Sequence, residues 1–162
     1  EIAQCLVGSE MCIRDSLNVV KKFIFEVNSI SSMPKTPQSS LILTLTHFIE
    51  SCQKEKKEMA ASGIFNVNTA IMNITISAFF ALPKMREYAF NWLSQEKVVW
   101  MNILEKAKEL KEIRSDINVE LFASIFENVF LGSYLSGIVY TDGYKIEQLE
   151  REVMQIYQLI KA

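Results

Sequence analysis

The chain has 162 residues, a formal net charge of −2 and an apolar fraction of 49%, with ten Phe, five Tyr and two Trp. This length corresponds to one domain with a substantial core. The slightly acidic balance argues against a surface that grips a nucleic-acid phosphate backbone, which needs clustered Lys and Arg. Five Gly and three Pro in the whole chain favour long helices, because both residues are unfavourable in helix interiors.

Residues 5 to 16, CLVGSEMCIRDS, show neither a helical stripe nor strand alternation. The codons CTC GTG GGC TCG GAG ATG TGT ATA AGA GAC translate as Leu6 to Asp15, and that string resembles the transposase adapter used to prepare sequencing libraries. We therefore interpret residues 1–16 as a non-native N-terminal segment and residues 17–162 as the natural domain. This interpretation predicts that the chain is the C-terminal part of a longer protein. The alternative is a natural N-terminal arm of unusual composition.

Apolar residues recur at helical spacing through the rest of the chain and predict an all-α antiparallel bundle of about six helices, without a sheet. Gly63 is the predicted stop of the second helix. Asn66 or Asn68 is the predicted N-cap of the third helix, and Asp116 or Asn118 that of the fifth. The predicted helices cover residues 17–32, the stretch from Pro37 to before Gly63, and residues 70–82, 84–112, 119–140 and 146–160.

The fifth predicted helix, Val119 to Tyr140, is apolar over most of its circumference, and only Glu120 and Glu127 carry charge. A helix in a monomer of this size normally presents a polar side to water. We therefore predict that this helix buries two faces, one on its own core and one on something else.

The last third of the chain resembles the C-terminal domain of the TetR/AcrR family of bacterial transcriptional regulators. In that family a long helix ends in a segment like EIRSDINVELFA, here Glu112 to Ala123, and a wide apolar helix and a shorter final helix follow. The order of six helices after the DNA-binding head also fits residues 17–162. The sequence departs from the family pattern at Lys111, where a Gly often precedes the Glu. It also has no counterpart of the N-terminal helix-turn-helix head.

The resemblance implies the effector-binding and dimerisation domain of a regulator, expected to be a repressor, that contacts operator DNA through the missing head. In the family the wide apolar helix and the final helix form a four-helix homodimer interface. Gly132 and Ser136 lie four residues apart, a spacing that lets two helix backbones approach closely; the alternative is packing inside one subunit. The expected interface residues are Leu121, Ile125, Val129, Gly132, Leu135, Ser136, Val139, Leu149, Val153 and Ile156; the sequence does not divide the eight larger ones between this interface and the core of one subunit.

The resemblance also implies a pocket for a small apolar effector among the middle helices. Such pockets are mostly apolar with a few polar groups, here His47, Asn68 or Asn73. An effector shifts a conformational equilibrium only by binding one conformation better than the other. The alternative is that the aromatic residues are packed core. The expected pocket residues are His47, Phe48, Phe65, Asn68, Met72, Phe79, Trp92, Trp100, Phe122 and Phe126.

No sequence feature indicates an enzyme, a cofactor or a metal. His47 is the only histidine, which excludes a multi-histidine metal site, and Cys52 lies five residues further on, too far to form an obvious nucleophile and base pair. No GxGxxG, P-loop or CxxC pattern occurs. The rival hypothesis is a stand-alone helical interaction or scaffold protein without small-molecule control.

The expected location is the cytoplasm, without a membrane partner. Cys52 is the only thiol outside residues 5–16, and no signal peptide is visible. No stretch reaches the roughly 18 consecutive apolar residues expected of a helix that spans a bilayer.

Overall fold

The computed structural model describes residues 40–61, 63, 66–82 and 84–162. These residues form five α-helices and no strand: α1 (Leu41–Ala61), α2 (Val67–Ala81), α3 (Met85–Glu109), α4 (Val119–Ser136) and α5 (Ile146–Ile160). A 3₁₀ turn, Gly137–Val139, continues α4. The predicted all-α fold is therefore confirmed for this part of the chain. The predicted helix at 17–32 lies outside the described residues.

Two asparagines cap the helices that were predicted to begin near them. The side-chain oxygen of Asn66 accepts the backbone N–H of Thr69 at 2.9 Å, and that of Asn118 accepts the N–H of Leu121 at 3.0 Å. Each bond satisfies one of the amides that the first turn of a helix leaves without an intrahelical partner. The alternatives Asn68 and Asp116 therefore do not cap these helices.

The core lies where α1, α3, α4 and α5 meet. Trp100 of α3 stacks on Phe126 of α4 with ring centroids 5.0 Å apart and planes 9° apart. Phe48 of α1 meets Trp100 and Phe130 edge-on, at 5.8 Å and 5.3 Å. Aromatic pairs of this kind contribute about 0.5–1.5 kcal/mol each beyond the burial of their area. They hold α4 in one rotational setting against its neighbours.

Glu112, in the segment between α3 and α4, joins parts of the fold that are far apart in sequence. Its carboxylate accepts the backbone N–H groups of Leu41 at 2.6 Å and Ile42 at 2.9 Å. A negative charge at a helix N-terminus also interacts favourably with the helix dipole. The backbone carbonyl of Glu112 accepts the N–H of Ala162 at 3.1 Å. One residue therefore connects the start of α1, the end of α3 and the end of the chain.

Lys111 ends α3 in a backbone conformation that favours glycine. Its φ is +56°, in the left-handed region. The N–H of Lys111 bonds the carbonyl of Lys108, and the N–H of Glu112 bonds that of Ala107, both at 2.9 Å. This pair of bonds is the Schellman arrangement, in which a left-handed residue follows the helix. The position where the family pattern often has Gly is therefore one where Gly is conformationally suited.

Substituting Lys111→Gly should raise the free energy of unfolding by about 0.5–1 kcal/mol, because a Cβ atom is unfavourable at this φ. Urea unfolding monitored by circular dichroism measures the change. Lys111→Ala is the matched control, since it removes the same charge but keeps the Cβ atom. An equal gain in both variants would show that the side chain, and not the backbone, is responsible.

Candidate functional site

Helix α4 buries one side in the core and exposes the opposite side. Its buried residues are Val119, Ala123, Phe126 and Phe130. They recur at intervals of three and four residues, which places them in one stripe. On the opposite side Leu121 and Leu135 are 55% and 58% exposed, and Val139 in the following turn is 80% exposed. Both sides of this segment therefore carry apolar residues, as predicted. One side is buried in the core, and the opposite side is exposed.

We call this open side the α4 face. Its members are Leu121, Ile125, Asn128, Gly132, Leu135, Ser136 and Val139. None of them is charged. Of the two carboxylates of α4, Glu120 pairs with Lys97 of α3 at 2.9 Å. Glu127 is half-buried, and its desolvation raises the pKa of its carboxyl, while the charge of Lys97 opposes this rise.

Gly132 lies in the middle of the α4 face, and no contact among the described residues requires a glycine there. A Cβ atom built on Gly132 meets no atom within 4 Å. Glycine in a helix interior costs about 1 kcal/mol relative to alanine. The absence of a side chain at this position therefore leaves space on the outer surface of the helix.

The final helix contributes less to this surface than the sequence suggested. Leu149 and Val153, both expected at the interface, are fully buried in the core of their own chain. The reason is that α5 turns its most apolar side inward, so these two side chains have no surface to offer a partner. Ile156 is half-buried, and Leu159, which was not among the expected residues, is exposed.

A hydrogen bond places one strip of α5 beside α4. The hydroxyl of Ser133 donates to the carboxylate of Glu152 at 3.4 Å. Glu152, Ile156 and Leu159 follow one another at i, i+4 and i+7 on α5, so they share one side of that helix. Val129 of α4, like Ile156, is half-buried. The apolar surface of α4 is therefore extended by the end of α5.

The same segment meets the length and composition of a membrane span. The helix Val119–Val139 has 21 residues and is long and apolar enough to cross a bilayer. Only 22% of its apolar 18-residue stretch is buried inside the chain. The sequence-based expectation that no such stretch exists is therefore wrong on this criterion. It counted consecutive apolar residues, whereas this segment includes polar residues such as Asn128 and Ser133. This segment is α4 with its following turn, and the inner side of α4 packs against the core.

Three of the expected pocket residues are packed core. Phe48, Trp100 and Phe126 are at most 1% exposed and contact one another through the ring pairs described above. The four expected residues Met72, Phe79, Trp92 and Phe122 are half-buried and lie on α2, α3 and α4. Phe65 lies outside the described residues.

The three polar residues expected to anchor a ligand are either exposed or hydrogen-bonded to the backbone of the chain. His47 is exposed on α1, and its ring nitrogen lies 3.2 Å from the carboxylate of Glu50. Asn73 is also exposed. Asn68 is completely buried, but its amide donates to the carbonyl of Tyr134 and accepts the N–H of Tyr144, both at 3.0 Å. The hydrogen-bonding groups of Asn68 are therefore used by the backbone of its own chain.

A shallow open groove of about 500 Å³ lies at the end of α3, away from the expected pocket residues. Its charged groups are partly engaged, because Arg114 lies 3.4 Å from Asp116 and the ammonium of Lys108 donates to the carbonyl of Ile117 at 3.4 Å. The lining residues are Lys108, Lys111, Ile113, Arg114, Ser115, Asp116 and Ala162. Among the residues described, no group of His, Cys, Asp and Glu is arranged to hold a metal ion.

Comparison of the chain with protein-family models, with curated proteins and with solved structures finds no match. The α4 face is the feature of this chain that bears most directly on function.

Two tyrosines beside the aromatic core are held in their neutral form. Tyr134 and Tyr144 pack together with ring centroids 5.7 Å apart. Burial raises the pKa of each phenol well above its ordinary value of 10.0, and the neighbouring Cys52 and Glu55 raise both pKa values further. The folded chain therefore keeps these two protons at a pH where tyrosines in the unfolded chain lose theirs.

The free energy of unfolding should fall above about pH 10, by up to about 1.4 kcal/mol per pH unit for each buried tyrosine. The sign follows because a raised pKa in the folded state gives stability that is present below the unfolded pKa and lost as pH rises. Urea unfolding between about pH 8 and about pH 11 measures the slope. Tyr144→Phe should make the pH dependence of the unfolding free energy shallower, and an unchanged slope in this variant would contradict the role of the Tyr144 proton.

Proposed function

We propose that this chain is the effector-binding and dimerisation domain of a TetR-type bacterial transcriptional regulator, acting as a repressor in the cytoplasm. Operator DNA is contacted by a helix-turn-helix head outside this chain. The observation that carries the proposal is the α4 face, an uncharged and largely apolar strip on a helix whose other side is core. The order of a long α3, a Glu112 segment, a wide apolar α4 and a shorter α5 also agrees with the family resemblance.

The occupant of the α4 face is a second copy of the chain. Helix α4 is about 27 Å long, from 18 residues at a rise of about 1.5 Å each. A twofold axis crossing it brings the same strip of both subunits together, the symmetry of most homodimers. Gly132 lets the two helices approach closely, and Ile156 with Leu159 widens the contact. Burial of this strip removes from water the apolar surface that one subunit leaves open.

Leu135→Glu should raise the dimer dissociation constant at least about 100-fold, because it places a charge in a desolvated apolar contact. Sedimentation velocity across a range of protein concentrations measures the dissociation constant. Leu43→Glu is the matched control, since Leu43 is 52% exposed on α1, outside the α4 face. That variant should dimerise like the wild type.

A wild-type chain that stays monomeric at all concentrations would contradict the dimer. Association with uncharged phosphatidylcholine vesicles by such a monomer would instead assign the α4 face to a membrane. Equal dimerisation of the wild type and the Leu135→Glu variant would place the interface elsewhere on the chain.

The effector is a small apolar molecule that lies among α2, α3 and α4. Met72, Phe79, Trp92 and Phe122 support this placement, because half-buried side chains can contact a ligand without displacing the packed core. The effector controls DNA binding by favouring one arrangement of the subunits, and it shifts that equilibrium only by its difference in affinity between the two arrangements.

A compound that binds the folded chain should raise its melting temperature, since a ligand at about 100 times its Kd stabilises the folded state by about 2.7 kcal/mol. Differential scanning fluorimetry with a panel of apolar small molecules measures the shift. Phe79→Ala should reduce the shift, whereas His47→Ala should preserve it, because His47 is exposed on α1.

The rival function is a helical interaction or scaffold protein without ligand control. The exposed apolar strip agrees with this alternative as well, since any protein partner can cover it. A dimer whose melting temperature no apolar compound raises would favour the scaffold. A compound whose shift depends on Phe79 favours the regulator.

A further inference from the structure

The first turn of α2 is bonded to the segment that connects α4 with α5. Asn68 bridges the two ends of this segment, because it donates to the carbonyl of Tyr134 and accepts the N–H of Tyr144. Tyr134 belongs to the last turns of α4, and Tyr144 lies two residues before α5 begins. A single buried amide therefore sets the distance between the end of one helix and the start of the next.

Asn66 and Thr69 add bonds to the same segment. The side-chain amide of Asn66 donates to the carbonyl of Tyr140 and, at 3.5 Å, to that of Gly137. The hydroxyl of Thr69 donates to the carbonyl of Ile138 at 3.4 Å. A helix C-terminus leaves its last carbonyls without intrahelical partners. The start of α2 therefore supplies donors to the end of α4.

Two glycines make room for Asn68. A Cβ atom on Gly137 would lie 2.8 Å from the Asn68 side chain and 2.5 Å from the backbone nitrogen of Tyr144. A Cβ atom on Gly143, whose φ is +77°, would lie 2.5 Å from the Asn68 oxygen. We call Asn66, Asn68 and Thr69, together with residues 134–144, the clasp. Asn68 packs so closely against Gly137 and Gly143 that the start of α2 and residues 134–144 have to move together.

Beyond its first turn, α2 exposes part of its apolar surface. Among its side chains that the structure describes, Asn68 and Ala78 are buried. Ile76 is exposed, and Phe80 is 88% exposed. Among the described contacts of α2, the polar bonds at its first turn are those that join it to residues 134–144.

We propose that the clasp couples the position of α2 to the α4 face. A displacement of α2 either breaks the clasp, which leaves buried polar groups without hydrogen bonds, or moves the connecting segment with it. That segment begins at the end of the α4 face, where Leu135 and Val139 lie exposed. A displacement of α2 therefore changes the position of Leu135 and Val139 in the dimer contact. This second step rests on the dimerisation proposed above, whereas the clasp itself does not.

Asn66→Asp tests the clasp. The variant keeps the oxygen that accepts the Thr69 N–H, so α2 stays capped. It loses the amide donor and turns a carboxylate oxygen toward the carbonyls of Gly137 and Tyr140. Asn118→Asp is the matched control, because it makes the same change at the N-cap of α4, outside the clasp.

Hydrogen exchange measured by mass spectrometry on the full chain gives the first readout. Asn66→Asp should accelerate exchange of the amides in residues 137–144 about tenfold, because local opening becomes easier. Asn118→Asp should leave these amides as in the wild type. Unchanged exchange in Asn66→Asp would overturn the proposal. If Asn66→Asp does not fold, Thr69→Val removes only the bond to Ile138 and should accelerate the same amides.

Sedimentation gives the second readout. Asn66→Asp should weaken dimerisation about tenfold, a change of about 1.4 kcal/mol, and Asn118→Asp should not. Faster exchange with an unchanged dimer dissociation constant would overturn the coupling to the α4 face. A monomeric wild type would overturn both the proposed dimer and this coupling, while the exchange experiment would still decide whether the clasp holds the segment.

Discussion

The stacking of Trp100 on Phe126 decides which side of α4 faces solvent. Successive residues of a helix point about 100° apart, so a register shift of one residue would remove Phe126 from Trp100 and open the core. Close-packed interiors resist such changes. With this contact in place, Leu121, Leu135 and Val139 have to point outward. The exposed apolar strip is therefore a consequence of a well-packed core.

Glu112 shows how one residue of a recognised segment can have a structural role that the resemblance did not reveal. The segment EIRSDINVELFA was noted for its place between a long helix and a wide apolar one. In the structure the Glu112 carboxylate caps α1, whose first residue lies 71 positions earlier. Lys111 before it adopts the left-handed conformation that ends α3. Turn and cap together fix the direction in which the chain leaves α3.

Periodicity predicted α3, α4 and α5 to within a few residues, because each carries a strong apolar stripe. Periodicity could not show which residues of each stripe lie in the core and which are exposed on the surface. Leu149 and Val153 have the spacing of interface residues and lie in the core, whereas Leu159 is exposed. Nor could it assign Asn68, whose backbone partner Tyr144 lies 76 residues away. A buried amide in an apolar helix suits a ligand or a distant backbone equally, and only the folded chain distinguishes them.

The clasp and the α4 face together are compatible with the proposed regulator. Here α2 is bonded at its first turn, while Ile76 and Phe80 further along are exposed. A ligand that displaced α2 would act on this bonded end, which would carry the motion to its neighbour. That neighbour is the end of α4, the helix that carries the open α4 face.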